Sequence, residues 1–516
     1  MTVVTLDYLI IGAGPAGLQL AALLEAEGRR SYLVLEGESV PGAFFTRFPR
    51  HRQLISINKP HTGSDDPELN LRLDWNSLLT DDDSLLFKHY SRRYFPHADD
   101  MLRYLADFAR TVKVRYDTRV TRVSRDEAGF TVRAGDDTFT AKRLVVATGV
   151  SRPYEPDIEG FELVERYDEM PVDPDDYLDQ RVLVIGKGNS AFETADALME
   201  TTTVIHVAGP SAVRMAWRTH YVGHLRAVNN NFLDTYQLKS ANAILDGDIR
   251  RIERAGDGYR VTFSFSRADE VVKELRYDRV LACTGFRFDA SIFDGSCRPE
   301  LVIRDRFPAQ TDEWESVNVP DLFFAGTISQ VRDFKKSTSG FIHGFRYAVR
   351  ALHRILERRY AGEPWPAGKL DATPESIADA VIERVNRTSA LWQQFGFLAD
   401  VVTVAGADAR YHEEVPVDYF ARAGLGPAEH AFVVTLEYGP EHDQVDPFDI
   451  TVRRVAQDVA GQAHAAAYLH PVVRWHRDGR VAGVHHLAEN LENQWDRPDV
   501  HVRPLRAFVE RCLAGA

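Results

Sequence analysis

A glycine-rich turn close to the N-terminus constrains the fold more than any other feature. Gly12-Ala-Gly14-Pro15-Ala16-Gly17 follows the apolar residues 8–11 and opens a helical pattern over residues 18–24. A second strand is predicted at residues 31–35, and Glu36 closes it. In such a β-α-β unit the glycines permit a tight turn, close approach of the backbone to a pyrophosphate, and close helix–strand packing. The unit predicts a dinucleotide site, with phosphates at the helix N-terminus and Glu36 on the ribose hydroxyls.

The residues after Glu36 favour FAD as this first dinucleotide. Gly42 and Phe44 belong to a stretch of small and aromatic residues that lets the chain pass close to a flavin ring. A nucleotide unit so near the N-terminus is also typical of FAD-binding chains. We therefore predict that FAD binds here.

A second glycine turn occurs in the middle of the chain. Gly186-Lys-Gly188-Asn189-Ser190-Ala191 lies between a predicted strand at 182–185 and a predicted helix at 190–200. The next strand, 203–207, contains His206, and no acid follows it where a ribose 2′-hydroxyl would need one. Arg214 and Arg218 follow instead, and guanidinium groups pair well with a 2′-phosphate. NADPH is therefore the predicted second cofactor, the alternative being that both arginines are solvated surface groups.

Three further motifs show how the two nucleotide units are connected. They are Ala147-Thr148-Gly149, Ala282-Cys-Thr284-Gly285, and the strand pattern 319–325 that ends in Gly326-Thr327. The first two flank the middle unit, and the third returns the chain to the first sheet. Thr148, Gly149, Gly326 and Thr327 are predicted FAD contacts, and Thr284 and Gly285 are predicted NADPH contacts.

The predicted fold class is α/β, with two Rossmann-like dinucleotide-binding domains and an α+β C-terminal extension. The NADPH domain is inserted in the FAD domain. The Pro- and Gly-rich residues 363–368 are the predicted linker to the extension. The predicted boundaries are 1–155 and 281–362 for the two parts of the FAD domain, 156–280 for the NADPH domain, and 369–516 for the extension.

Composition narrows the functional classes. The net charge of −14 is spread along the chain, which argues against binding nucleic acid or an anionic membrane. The three cysteines form no CxxC pair, which disfavours a disulfide reductase and fits a reducing, cytoplasmic setting. The histidines of the extension lack metal-ligand spacing, so no metal is predicted. A monomer and a homo-oligomer are both compatible with the sequence.

The chain resembles the flavin-containing (class B) monooxygenases over about residues 5–360. It resembles more closely, and nearly end to end, the endoplasmic-reticulum flavoprotein associated with degradation and its bacterial relatives. That resemblance rests on the runs 54–59, 74–78, 89–96, 219–223, 340–346, 413–416 and 469–471. The stretch 161–168 lacks the histidine of the monooxygenase fingerprint.

The resemblance also implies roles for individual residues. Asn58 matches an asparagine that faces the flavin and steadies the oxygen adduct, the alternative being a capping or turn asparagine. Gly340 and Arg346 would lie near FAD on a long helix, predicted from about 340 to 359, whose N-terminus could face the flavin. Thr327 stands where many relatives have aspartate.

The predicted function is an NADPH-dependent FAD monooxygenase. In this reading NADPH reduces FAD, O₂ forms a C4a-(hydro)peroxyflavin, and a small nucleophile is oxygenated, with an amine or amino acid in bacterial biosynthesis expected. Arg92, Arg93, Arg152 or Arg287 could hold a substrate carboxylate. Two alternatives stay open: an NADPH-dependent flavin oxidoreductase or oxidase without oxygen transfer, and a flavin-holding scaffold that binds a protein partner.

Overall fold

The first sheet is the one that carries the N-terminal glycine turn. The computed structural model describes residues 5–452, 455 and 457–515. Its parallel strands, in spatial order, are Val114–Arg115, Tyr32–Leu35, Thr5–Ile11, Asp137–Val146 and Leu322–Phe324. The strand Asp137–Val146 is long enough to pair with different neighbours at its two ends. Its last residues pair with Leu322–Phe324, and its first residues pair antiparallel with Gly129–Ala134, which continues to Arg122–Asp126. We call this the flavin-domain sheet.

A second sheet of the same kind is built from the middle of the chain. Its parallel strands, in spatial order, are Ala243–Ala255, Val204–Gly209, Arg181–Ile185, Arg279–Ala282 and Glu165–Arg166. Gly258–Phe265 and Val271–Tyr277 extend it as an antiparallel meander. All its strands fall between the two chain segments that form the flavin-domain sheet. The predicted fold class is thereby confirmed, although the strands 243–255 and 271–277 were not predicted.

The C-terminal extension is an antiparallel sheet packed with helices. Its strands, in spatial order, are Ala367–Asp371, Asp408–Pro416, Leu398–Ala405, His430–Glu437, His470–Arg477 and Arg480–His486. The extension sheet begins two residues before the predicted boundary at 369, because Ala367 already pairs with His412. Trp365 is 4% exposed, and its indole Nε1 donates to Glu413 O at 3.0 Å. The Pro- and Gly-rich segment 363–368 is therefore held against the extension by specific contacts.

The helices connect and cover these sheets. They are Pro15–Glu27, Phe44–Arg47, Pro67–Leu73, Ala98–Ala109, Asn189–Leu198, Ala216–Thr219, Asn231–Gln237, Ile342–Ala361, Pro374–Arg387, Ala390–Gln393, Val417–Ala423 and Arg503–Leu513. Two short strand pairs, Arg152–Pro153 with Phe286–Arg287 and Leu301–Val302 with Phe307–Pro308, complete the structure. Among the helices that the structure describes, none is long and apolar enough to span a bilayer.

One hydrophobic core runs through the flavin domain and the extension. It includes Tyr8 of the first strand, Leu352 of the long helix Ile342–Ala361, Phe432 of the extension sheet, and Val509 of the last helix, all buried. The central sheet has separate cores, one around Phe192 and another around Phe263, the second on its other face. The extension thus packs as part of the flavin domain.

A buried ion network reinforces this packing. Glu414 is fully buried, and its Oε2 accepts from Arg350 Nε at 2.7 Å and lies 3.3 Å from Arg354 Nη1. Both arginines lie on the long helix, whereas Glu414 lies in the extension sheet. The guanidinium groups hold the pKa of Glu414 below its ordinary value against the effect of burial, which raises it. Removing one partner would leave buried charge without compensation.

Candidate functional site

The first glycine turn has the shape that a bound pyrophosphate requires. Gly12 has φ +105°, and a Cβ there would lie 2.8 Å from Ala147 O. A Cβ on Gly17 would lie 2.0 Å from Gly12 O, so the first helix packs directly on the turn. At Gly14 the nearest atom to a Cβ would be Ala147 O at 4.0 Å. The turn is therefore closed toward the protein at Gly12 and Gly17 and open at Gly14, where the helix begins with Pro15.

Ala13 joins the other predicted FAD residues to this turn. Its N–H donates to Glu36 Oε2 at 2.8 Å, and its carbonyl accepts from Gly42 N at 2.9 Å. Gly42 has φ +63°, and a Cβ there would lie 2.3 Å from Leu105 Cδ1. Phe44, two residues further on, is half-exposed. The segment after Glu36 thus folds back over the turn, as a cover for the flavin end of FAD must.

The returning chain meets the same turn from the other side. Gly326 has φ +81°, and a Cβ there would lie 2.6 Å from Ala16 Cβ. Thr327 Oγ1 donates to Gly340 O at 3.1 Å, which ties the end of the last parallel strand to the start of the long helix. Gly149 has φ +63° and open space at its Cβ position.

Thr148 completes this group, because its backbone N would lie 3.2 Å from a Cβ on Gly12. The structure therefore brings the predicted FAD residues of four separate segments around one helix N-terminus.

Asn58 is buried, but its amide hydrogens are engaged within the protein. Its Nδ2 donates to Ser91 O at 2.8 Å and to Arg93 O at 3.2 Å. Exchanging the amide oxygen and nitrogen would place that oxygen against two carbonyls, so the hydrogen bonds fix the orientation. Donation from Asn58 to an oxygen adduct would require this amide to turn. That role stays a prediction.

Arg346 is fully buried and holds a neighbouring loop. Its Nη1 donates to Asp74 O at 3.0 Å and Ser77 O at 2.8 Å, and its Nη2 donates to Leu71 O at 2.8 Å. A direct contact with FAD stays a prediction. What the structure shows is that Arg346 positions the loop that carries Trp75.

The second glycine turn repeats the geometry of the first. Gly186 has φ +124°, and a Cβ there would lie 2.3 Å from Cys283 O. Gly188 has open space at its Cβ position and caps the helix that begins at Asn189. Ser190 follows in the first turn of that helix. In both turns the first glycine is closed toward the protein and the second is open.

Asn189 connects this turn to the segment that reaches the flavin domain. Its Nδ2 donates to His224 O at 2.8 Å, and its Oδ1 accepts from Arg226 N at 2.9 Å. We call residues 219–229 the bridging segment. From it, Tyr221 Oη donates to Gln330 Oε1 at 3.4 Å, and Arg226 Nη1 donates to Ile55 O at 2.9 Å. The bridging segment therefore connects the second nucleotide turn to the flavin domain.

The other predicted NADPH residues lie around this turn in different settings. His206 Nδ1 is 2.7 Å from Tyr277 Oη, and burial holds the pKa of this imidazole below its usual range. Thr284 Oγ1 donates to Tyr154 O at 2.5 Å, and Gly285 has φ +86°.

The two predicted phosphate-binding arginines differ from each other. Arg218 is exposed, and its Nη2 donates to Gln444 O of the extension at 3.1 Å. Arg214 is also exposed and lies near Lys335, whose pKa is lowered by burial and then by the charges of Arg306 and Arg214. Arg306 Nη2 would lie 3.6 Å from a Cβ on Gly285. Lys335 and Arg306 were not predicted, because they lie more than a hundred residues from the second turn.

A second set of residues without a predicted role lies near Asn58. The indole of Trp75 stacks on the imidazole of His343, with centroids 4.1 Å apart and an interplanar angle of 19°. The Arg226 guanidinium carbon lies 5.1 Å from the Trp75 ring centroid. All three residues lie in or next to runs that carried the family resemblance, but no role came with them.

The cysteines are placed as structural residues. Cys283, Cys297 and Cys512 are all free and buried. Burial raises the pKa of the Cys283 thiol to about 12 and that of Cys512 to about 11. The attacking species in thiol–disulfide exchange is the thiolate, which these sites disfavour.

One group of possible metal ligands lies between the first helix, Pro15–Glu27, and the long helix. Ligand atoms of Glu27, His353 and Glu357 lie within 4.8 Å of one another. Arg30 Nη2 is 2.7 Å from Glu357 Oε2, so a guanidinium already neutralises this carboxylate. The prediction that no metal binds stays a prediction.

Comparison with known proteins places this architecture in a family. The family model described as pyridine nucleotide-disulphide oxidoreductase matches residues 9–326. The chain belongs to that family. It is 41% identical to the mouse protein named FAD-dependent oxidoreductase domain-containing protein 2, over 98% of this chain and 84% of that protein. The zebrafish protein of the same name is 38% identical over 98% of this chain and 83% of its own length. The chain is thus an FAD-dependent oxidoreductase.

Solved structures share the fold of the two nucleotide domains. A flavin-containing monooxygenase from Stenotrophomonas maltophilia matches with a TM-score of 0.52 and 19% identity, over 69% of this chain and 99% of that one. The bacillithiol disulfide reductase of Bacillus cereus matches with a TM-score of 0.53 and 22% identity, over 69% of this chain and 100% of that one. The same fold therefore serves proteins with different activities, and the choice among them has to come from the residues of this chain.

Proposed function

We propose that this protein is an NADPH-dependent FAD monooxygenase that oxygenates a small nucleophile, an amine or amino acid. The observation that carries the proposal is the pair of open glycine turns, which the bridging segment links. The open glycines Gly14 and Gly188 stand at two helix N-termini, and the bridging segment runs from the second turn to the flavin domain. FAD, when bound, accepts a hydride and can activate O₂. The chain's own part is to bind both nucleotides and to bring their reactive ends together.

The residues present fit FAD at the first turn. A Cβ on Gly14 would fill space that the protein leaves open, and the helix that starts at Pro15 points its free N–H groups there. Glu36 already accepts a hydrogen bond from Ala13 N, which places its carboxylate beside the turn. These features support binding of the pyrophosphate and the adenosine ribose.

The second turn supports NADPH by the same reasoning. Arg214 and Arg218 are exposed at the end of the strand that would carry the adenosine ribose, and Arg306 and Lys335 add positive charge from the flavin-domain side. A 2′-phosphate would be attracted by such a cluster, and no acid stands at the position that would repel it.

Oxygen transfer is favoured over disulfide reduction by the cysteines. All three are buried and free, and the pKa of each is raised by burial, so none is poised to exchange electrons with a disulfide. The loop that Arg346 fixes and the buried start of the long helix would help to exclude water from a flavin bound at the first turn. Oxygen transfer needs that exclusion.

The test is to follow NADPH oxidation and product formation together. The holoenzyme is incubated with NADPH, isotope-labelled O₂ and a panel of amines and amino acids, and products are analysed by mass spectrometry. We expect one labelled oxygen atom in a product and one NADPH consumed per product. NADPH oxidation with peroxide as the sole product would favour the oxidase alternative. Failure of NADPH to bleach the flavin would favour the scaffold alternative.

A further inference from the structure

Arg226 differs from most arginines of the chain in having no acidic partner. The chain is rich in Arg–carboxylate pairs, such as Arg350 with Glu414. Among the residues that the structure describes, none provides a carboxylate within ion-pair distance of Arg226. Within that part of the chain, the guanidinium has one hydrogen-bond acceptor, the backbone carbonyl of Ile55, at 2.9 Å from Nη1. A guanidinium has five N–H donors, so most of its bonding capacity remains unused.

The position of this guanidinium is nevertheless fixed. The Arg226 backbone N donates to Asn189 Oδ1 at 2.9 Å, at the start of the second nucleotide helix. The side chain reaches Ile55 of the flavin domain and lies over the indole of Trp75. Burial lowers the pKa of Arg226, which remains a cation at neutral pH. The guanidinium is therefore held in place with N–H donors that an anionic ligand could occupy.

The surroundings of Arg226 add to the positive potential. His343 is fully buried in the first turn of the long helix, and neither of its ring nitrogens has a hydrogen-bond partner in the part of the chain that the structure describes. Burial and the charges of Arg346 and Arg226 hold the pKa of His343 well below its usual range, so the imidazole is neutral. Arg346 is itself bonded to backbone carbonyls rather than to an acid. The indole of Trp75 thus contacts both the guanidinium of Arg226 and the neutral, buried imidazole of His343.

The chemistry of these groups favours a carboxylate over a phosphate. A planar guanidinium fork matches a carboxylate with two parallel hydrogen bonds, and one arginine suffices for it. The phosphates of both nucleotides have their own places at Gly14 and Gly188, and the cations of Arg214, Arg306 and Lys335 form a separate cluster. Arg92, Arg93 and Arg152, which the sequence offered as carboxylate ligands, are exposed, and Arg287 is half-buried in a short strand pair.

We propose that Arg226 binds the carboxylate of the substrate, beside the indole of Trp75 on which the guanidinium lies. The substrate class is thus a small carboxylic acid, an amino acid rather than a simple amine. This inference rests on the proposed function for the identity of the reaction. The binding step itself involves no electron transfer, so it can be tested without turnover.

The experiment titrates oxidised holoenzyme with matched pairs of probes and follows the absorption spectrum of bound FAD. The pairs are benzoate with benzamide, and L-lysine with cadaverine, which differ in the carboxylate. We expect the carboxylate of each pair to bind about 10- to 100-fold more tightly, as expected for loss of one charge-assisted hydrogen-bonded contact. Arg226→Gln should abolish the difference, and Arg226→Lys should retain part of it. Arg110→Gln is the matched control, because Arg110 is highly exposed and pairs with Asp107 on the surface.

Three results would overturn the proposal. One is equal affinity within each pair for the wild type, and another is no spectral change with any carboxylate. The third is an Arg226→Gln variant that keeps the preference, or that loses affinity for NADPH and not for carboxylates, which would assign the guanidinium to a phosphate. FAD content and circular dichroism identify a variant that fails to fold, in which case Arg226→Lys carries the test. Carboxylate binding without any oxygenated product would refute the proposed function and leave this inference standing.

Discussion

Gly14→Ala separates cofactor binding from folding in a way that few substitutions can. Gly14 has φ −76° and ψ 179°, a conformation open to any residue, and the nearest atom to the new Cβ would be 4.0 Å away. The free energy of unfolding of the apoprotein should therefore change by less than about 1 kcal/mol, since a compatible Gly→Ala change is mildly stabilising through the unfolded chain. The methyl group would instead occupy the space that the pyrophosphate needs.

The expected loss falls on FAD. Displacing the phosphates from even one helix N–H donor removes a charge-assisted hydrogen bond of about 1.5–3 kcal/mol, which weakens binding by about 10- to 100-fold. Gly17→Ala is the matched comparison, because its Cβ would lie 2.0 Å from Gly12 O and must push the helix from the strand. That change should lower the stability of the apoprotein by about 1–3 kcal/mol or more.

The assay has two parts. Urea unfolding of the apoproteins measures stability, and titration of apoprotein with FAD, followed by quenching of flavin fluorescence, measures affinity. The reasoning requires Gly14→Ala to lose affinity with stability kept, and Gly17→Ala to lose stability. A Gly14→Ala protein that binds FAD as the wild type does would show that the pyrophosphate lies elsewhere.

Three further outcomes follow from the same structure. Gly188→Ala meets no atom within 4 Å, so it should weaken NADPH binding at least about tenfold and leave FAD content unchanged; an unchanged Kd for NADPH would contradict the second site. Glu414→Ala removes a fully buried carboxylate from the half-buried Arg350 and Arg354 and should cost up to about 3–5 kcal/mol in urea unfolding; a loss below about 1 kcal/mol would mean that water compensates the two guanidinium groups. Burial lowers the pKa of His412 from 6.5 to about 4, so only the unfolded state binds a proton between those values, and stability falls as pH falls through that window. His412→Gln should reduce this slope by about 1.4 kcal/mol per pH unit, and equal slopes would show that His412 titrates normally.

The two nucleotide turns were predictable because their geometry is local. Each needs glycine at a positive φ or at a close contact, as at Gly12 and Gly186, and each is flanked by an apolar strand and a helix. The meander strands 243–255 and 271–277 were missed because they carry no turn motif of that kind, and pairing between distant strands depends on tertiary contacts more than on propensity.

The grouping of residues around Trp75 was beyond the reach of sequence reasoning for a different reason. Asn58 was a predicted site residue, whereas Trp75, Arg226 and His343 had no predicted role, and the four come from chain segments that meet only in the folded protein. The sequence showed Arg226 as one arginine among many. Its lack of an acidic partner is a property of its neighbours in space.

The shared core of the flavin domain and the extension has a consequence for how this chain can be divided. The composition at 363–368 invites a truncation there, but the core passes across it from Leu352 to Phe432. A fragment ending before the extension would expose an apolar face of the long helix to water. It would also leave Arg350 and Arg354 without the carboxylate of Glu414. The central domain is also tied to the flavin domain, because Phe48 packs into the core around Phe192, and the C-terminal third is inseparable from the sheet that begins the chain.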